Sequence, residues 1–351
     1  MDPLRHADGS RVSGTTEWAA RRREMLEVLL DVEYGHPPAV PRPMVTRREE
    51  RSVTLPGLDL PARKITAELA FGPSNRLHMP VAVWLPSGVT SAVPVILAIE
   101  PVWWEGPFLR HAIVQRLLSR GYGFAGFDHN ALASYEDPSR CAAKDAYPGQ
   151  DWGTVAVVAW GCSVTLDWLE TEPGVHSRQV AVFGHSRRGK SAVLAGALDE
   201  RFAAVLPHMS GMGGTGSYRV RGKGAQRLPQ LKEQEWLHPP IFGFAGREED
   251  LPFDQHWLHA LIAPRALYIH VGHRDAWGNP AGEVAAWEAA RPVFQGLGFP
   301  GRLGIGIVDR EHTDPNGAEG SDSWEAVLDF LDLQFRGRNS GRNFTAPPDL
   351  P

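Results

Sequence analysis

Ser186 lies in Gly184-His-Ser-Arg-Arg-Gly-Lys190, where residue types and spacing suit a nucleophile. The apolar run Val180-Ala-Val-Phe183 leads into it, and the small-residue stretch Ser191-Ala-Val-Leu-Ala-Gly-Ala197 follows. That order reads as strand, sharp turn, helix. It holds a serine hydroxyl clear of a sheet, beside the positive end of a helix. The chemistry this implies is acyl transfer through a covalent intermediate. The spacing is Gly-x-Ser-x-x-Gly, so the pattern draws its meaning from the strand before it and the helix after it.

A serine hydroxyl needs a base to accept its proton, and the base needs a carboxylate to hold its tautomer. In a strand–turn–helix layout of this kind the order along the chain is Ser, acid, His, with the last two on loops after late strands. His312 follows the apolar stretch Leu303–Val308 and is the expected general base. Asp275 ends the Gly272-His-Arg-Asp275 turn after the apolar stretch Arg265–Val271 and is the expected acid. Asp309, Glu311 and Asp314 are nearer to His312 in sequence but read as solvated loop charges. The backbone N–H of Arg187 is the expected oxyanion donor. Lys190, one turn further along the helix, reads from its residue type as an exposed surface lysine.

The elements that must carry these groups alternate. A helix is expected over Glu17–Glu33, stopped at Tyr34-Gly-His-Pro-Pro38. Extended segments follow at Arg63–Ala70, Pro80–Leu85 and the all-apolar Val93–Ile99. Then come a helix over Phe108–Arg120, a strand over Tyr122–Phe127, a helix from Asp151 to Glu170 with Asp151 as its cap, the elbow strand and helix, and a strand over Ala203–Pro207. After residue 207 a Gly-, Pro- and charge-rich insertion covers roughly 208–250. Helices at Glu283–Gln295 and Asp322–Gln334 flank the last strand. The fold class is α/β: an α/β-hydrolase in three layers, a mostly parallel sheet with helices on both faces. One domain is expected over 16–336, between flexible tails at 1–15 and 337–351.

The chain of 351 residues carries 36 Lys and Arg against 41 Asp and Glu, a net charge of −5, which does not call for nucleic acid or an anionic membrane. Its one basic run, Arg21-Arg22-Arg23, is expected on the surface of an amphipathic helix. No apolar run suggests a signal peptide or reaches the ~18 residues of a membrane span. A cytoplasmic chain, or a mature one whose leader has been removed, is expected. Cys141 and Cys162 are the only cysteines, and one possible bridge makes no disulfide framework. His256 and His259 share a helix face without a third ligand in fixed relation, so they read as packed histidines, and no metal or cofactor is expected.

Eight stretches together resemble the glucuronoyl esterases, family 15 of the carbohydrate esterases. They are Tyr34-Gly-x-x-Pro37, Asp151-Trp-Gly through Trp160-Gly161, Gly184–Lys190, Asp199-Glu-Arg-Phe202, Ser210-Gly-x-Gly-Gly214, Leu251–His256, Leu261–Arg265 and Asp275-x-Trp277-x-x-Pro280-x-Gly-Glu283. The resemblance implies Ser186 as nucleophile, Arg187 as oxyanion stabiliser, Lys190 as a sugar contact, and Trp277 and Glu235 beside Trp236 as further sugar contacts. The implied reaction is hydrolysis of esters between 4-O-methyl-glucuronate on xylan and lignin alcohols, by a monomer on a small or polymeric ester. Two positions depart from the family. Met209 stands where many members have a catalytic glutamate, which leaves Asp275 to act alone. His185 stands where fungal members have cysteine, so their disulfide is not expected. A broader carboxylesterase or sugar acetyl esterase, and a non-catalytic carbohydrate-binding protein, are the alternatives.

Overall fold

A computed structural model describes residues 1–54, 61–100, 112–134, 137, 139–232, 234–312 and 321–346. The expected helix start at Phe108, and Asp314, lie outside these. Nine strands form one sheet in the order β1-β2-β3-β5-β4-β6-β7-β8-β9. They are β1 (Met44–Thr54), β2 (Pro61–Phe71), β3 (Leu77–Pro86), β4 (Val93–Ala98), β5 (Gly123–Phe127), β6 (Val175–His185), β7 (Ala204–His208), β8 (Ala266–Gly272) and β9 (Leu303–Val308). The first three are antiparallel, and β4 to β9 run parallel.

Both faces of the parallel part are covered, which is why β4 is apolar throughout. Val95 and Leu97 join a core shared with the helices Thr15–Leu29, Thr154–Leu169, Arg187–Leu198 and Pro280–Gly296. Ile96 and Ala98 join the opposite core, with helices Ala112–Ser119 and Ser321–Arg336. The strand order reverses at β4, which has β5 on one side and β6 on the other, the place at the carboxyl ends where sheets of this kind bind ligands.

Four expectations are corrected. Strand β1 was not foreseen, because it is an edge strand exposed along nearly all its length. Its Arg48 and Glu172 pair at 2.9 Å, and charge rather than apolar alternation occupies its surface. Only Arg23 of the arginine run faces solvent: Arg22 is 7% exposed and its Nε donates to the Leu261 carbonyl, while Arg21 is buried and lies 4.7 Å over the Trp257 ring. Asp151 does not cap the helix after it. That helix begins at Thr154, where the N–H groups of Thr154 and Val155 donate to the carbonyls of Glu235 and Trp236, at 3.0 and 3.1 Å. Finally, the helix expected from Glu283 starts at Pro280, because the Asn279 side chain accepts the Gly282 N–H.

Cys141 and Cys162 are buried and free. Met1 and Phe344 both make definite contacts. His256 Nε2 meets the Met1 carbonyl at 2.8 Å, and Phe344 packs against Phe330 while its carbonyl accepts the Ile305 N–H. Among the described residues, no helix is long and apolar enough to cross a membrane.

Candidate active site

Strand β6 ends at His185, and the next residue, Ser186, sits at φ 57°, ψ −126°, a strained conformation for any residue but glycine. The turn is tight because Gly184 has no side chain: a Cβ there would overlap the Arg188 carbonyl. Ser186 is pinned on both sides. Its N–H donates to the His208 carbonyl at 2.9 Å, and its carbonyl accepts the Gly189 N–H at 2.9 Å. The hydroxyl therefore stands at the N-terminus of helix Arg187–Leu198, where the partial positive charge favours an anion.

The loops after β8 and β9 bring the other two groups to it. His312 Nε2 lies 2.9 Å from Ser186 Oγ, and His312 Nδ1 lies 2.7 Å from Asp275 Oδ2. Asp275 is 3% exposed, and its second oxygen accepts the Gly278 N–H at 2.8 Å. With Nδ1 donating to a carboxylate that the Gly278 N–H holds from its other side, Nε2 is left facing Ser186 Oγ as an acceptor. Asp309 instead pairs with Arg274 at 2.9 Å and is exposed, as is Glu311. Met209, at φ 45° and buried, packs its methyl group against Gly272 and offers the imidazole no acceptor.

Lys190 is not exposed. It is 4% accessible, and its Nζ donates to the carbonyls of Ser210 and Met212, both at 2.5 Å. Its helix position alone did not reveal this, because the loop that wraps it comes from after β7. That loop is tied down again at Glu283, which accepts from the Gly211 N–H at 3.0 Å and from the Thr215 hydroxyl. Burial pushes Lys190 down to about 8 and Glu283 up to about 7.

Behind the loop, Glu33 accepts from Tyr218 Oη and Gln255 Nε2, both at 2.6 Å, and burial raises it to about 8. Its folded value lies above the unfolded 4.5, so the native chain keeps a proton that the unfolded chain releases. That stabilisation is complete below pH 4.5 and is lost as pH rises through about 8. Glu33→Gln, a permanent mimic of the protonated acid, is expected to flatten this decline. Thermal midpoints of parent and variant measured across the range check it, and parallel curves would refute it.

The Arg187 guanidinium is buried and lies 5.5 Å from the Trp236 ring, with Lys190 Nζ 5.7 Å from the same ring. Trp236 owes its place to its carbonyl, which caps helix Thr154–Leu169. Glu235 is separated from this stack: its side chain is half exposed and turns to Lys144 at 3.4 Å. Trp277 follows Asp275 by two residues and is 50% exposed. His256 and His259 are packed and buried. Among the described residues, no group of three potential ligands could hold a metal ion.

Sequence reasoning missed Gly278 as the partner of Asp275. It also missed three buried histidines, His185, His208 and His270, although each stands at or near the carboxyl end of a strand, a signal that was there to read.

A strained serine at a strand–helix turn, hydrogen-bonded to a histidine and through it to an aspartate at the carboxyl edge of a parallel sheet, defines an α/β-hydrolase. Comparison with known proteins narrows this. Residues 72–298 match the family model described as "Glucuronyl esterase, fungi". Carbohydrate esterase MZ0003, from an unknown prokaryotic organism, is 28% identical over 86% of this chain and 79% of its own length. A 4-O-methyl-glucuronoyl methylesterase of Phanerochaete carnosa is 28% identical over 87% of this chain and 73% of its own. A carbohydrate esterase family 15 glucuronoyl esterase from Caldicellulosiruptor kristjansonii superposes with a TM-score of 0.79 at 28% identity, over 99% of this chain and 93% of that one. The chain belongs to the glucuronoyl esterase family and is a carboxylic ester hydrolase.

Proposed function

We propose that this chain hydrolyses 4-O-methyl-glucuronoyl esters, those joining xylan to lignin alcohols, through an acyl-enzyme on Ser186. The observation that carries this is the hydrogen-bonded line Ser186–His312–Asp275 at the carboxyl edge of the sheet. His312 Nε2 takes the serine proton as Oγ attacks the ester carbonyl, and the oxyanion forms at the helix N-terminus beside Arg187. The C–O bond to the alcohol then breaks, and His312 returns the proton to the leaving oxygen. Water enters, His312 deprotonates it, and attack on the acyl carbon frees glucuronate and restores Ser186. Asp275 stabilises the imidazolium in both halves. Lys190, Trp236, Trp277 and Glu235 are assigned to the sugar side. In this reading one domain, 16–336, carries the whole reaction as a monomer, with the insertion at 208–250 forming the sugar side of the cleft.

Methyl or benzyl glucuronate and p-nitrophenyl acetate separate the readings. The expected result is turnover of the glucuronate esters with the larger kcat/KM. Cleavage of the acetate alone would overturn the glucuronoyl assignment in favour of a general esterase.

A further inference from the structure

Three neighbouring parallel strands each carry a histidine at or near the carboxyl end: β6 and β7 end on His185 and His208, and His270 lies just before the end of β8. His185 of β6 is in register with His208 of β7, and His208 with His270 of β8. Their rings follow one another, with centroids 5.2 Å and then 4.5 Å apart. The row continues onto the base: the His185 ring lies 4.9 Å from that of His312, at 32°. The mechanism above uses none of the three. All are buried, and His185 Nε2, His270 Nδ1 and both ring nitrogens of His208 have no hydrogen-bond partner among the described residues. Unpartnered buried nitrogens cost stability, and a row of them at a reacting centre points to a use.

The use follows from charge. Burial pushes His185 down to about 3, His270 to about 4 and His208 well below its ordinary value, so burial favours the neutral form along the row. The charged groups facing it oppose a second cation: Arg188 on the elbow helix and Arg310 after β9. Asp275 faces the Nδ1 edge of His312 and Ser186 its Nε2 edge. What His185 meets is the ring itself. A neutral aromatic ring within about 6 Å of a cation attracts it.

We propose that His185 is a positioning residue, whose neutral ring lies tilted against His312 and supports the positive charge His312 gains as it accepts the Ser186 proton. The role rests on the esterase reading. His208 and His270 back the ring from behind and keep water from it.

The experiment compares His185→Leu, which keeps bulk without a π face, with His185→Phe, which restores the face without nitrogens, using methyl glucuronate across pH. In the leucine variant the imidazolium loses support. The acid limb of kcat/KM is expected to move down by roughly half a unit to one unit, with kcat three- to tenfold lower by order of magnitude and KM unchanged. The phenylalanine variant is expected to return both to the parent's values. Thermal unfolding verifies that each is folded, and His185→Gln replaces the leucine variant if that one is not. Superimposable pH profiles for the leucine and phenylalanine variants, whether both impaired or both parental, would overturn the proposal. A parent without turnover would instead remove the esterase reading itself.

Discussion

Ser186→Ala is expected to lower kcat on glucuronate esters by about 10⁴- to 10⁶-fold, the range seen when a nucleophile is deleted from such a relay. Its effect on substrate affinity and stability is expected to be small, for a structural reason. Ser186 is held at φ 57° by its own N–H to the His208 carbonyl and by the Gly189 N–H to its carbonyl, not by its hydroxyl. Alanine keeps the Cβ and both backbone bonds, so the turn and the helix dipole survive while the attacking atom is gone. Steady-state kinetics and a thermal melt together check this. An alanine variant with more than about a hundredth of the parental kcat would show that Ser186 is not the group that attacks.

Asp275→Asn is expected to cost kcat about 10⁴-fold, the loss seen when an equivalent aspartate is amidated in a serine hydrolase. The geometry makes the outcome definite, because an asparagine here has only one satisfied orientation. The Gly278 N–H, 2.8 Å from Oδ1, requires an acceptor, so the amide oxygen must point there. The amide nitrogen then occupies the Oδ2 site, 2.7 Å from His312 Nδ1. Two donors cannot face each other, so Nδ1 must become the acceptor and the ring proton must move to Nε2. That nitrogen can no longer take the serine proton. Nitrogen-15 spectra of the imidazole report the tautomer directly, and kinetics report the consequence. An asparagine variant within tenfold of the parent would mean that the tautomer is held by some other group.

Much of the site was legible because the signals are local. The Gly184–Gly189 turn carries its own steric requirement, and β4, β8 and β9 are read correctly because covered strands are continuously apolar over four to seven residues. Chain order then narrowed fourteen histidines to His312. The same reasoning failed at Lys190 and at Arg21 and Arg22, where residue type argued for solvent. Lys190 proved buried because the carbonyls of Ser210 and Met212 meet its charged head, and Arg22 because the Leu261 carbonyl does, while Arg21 lies over the Trp257 ring with its Nε donating to the Pro3 carbonyl. It failed at Asp151 for a related reason: the N–H groups it was expected to satisfy go to Glu235 and Trp236, more than eighty positions away.

The amino-acid order alone therefore determined the sheet's parallel core, the elbow and the chain order of Ser186, Asp275 and His312, since periodicity, glycine placement and strand-end position are properties of short stretches. Only tertiary structure decided which cations are buried under the cleft, and that three histidines at or near the ends of neighbouring strands stand in register beside His312. Those outcomes depend on which distant polar atoms remain unpaired once the strands are aligned, and no short stretch contains both partners.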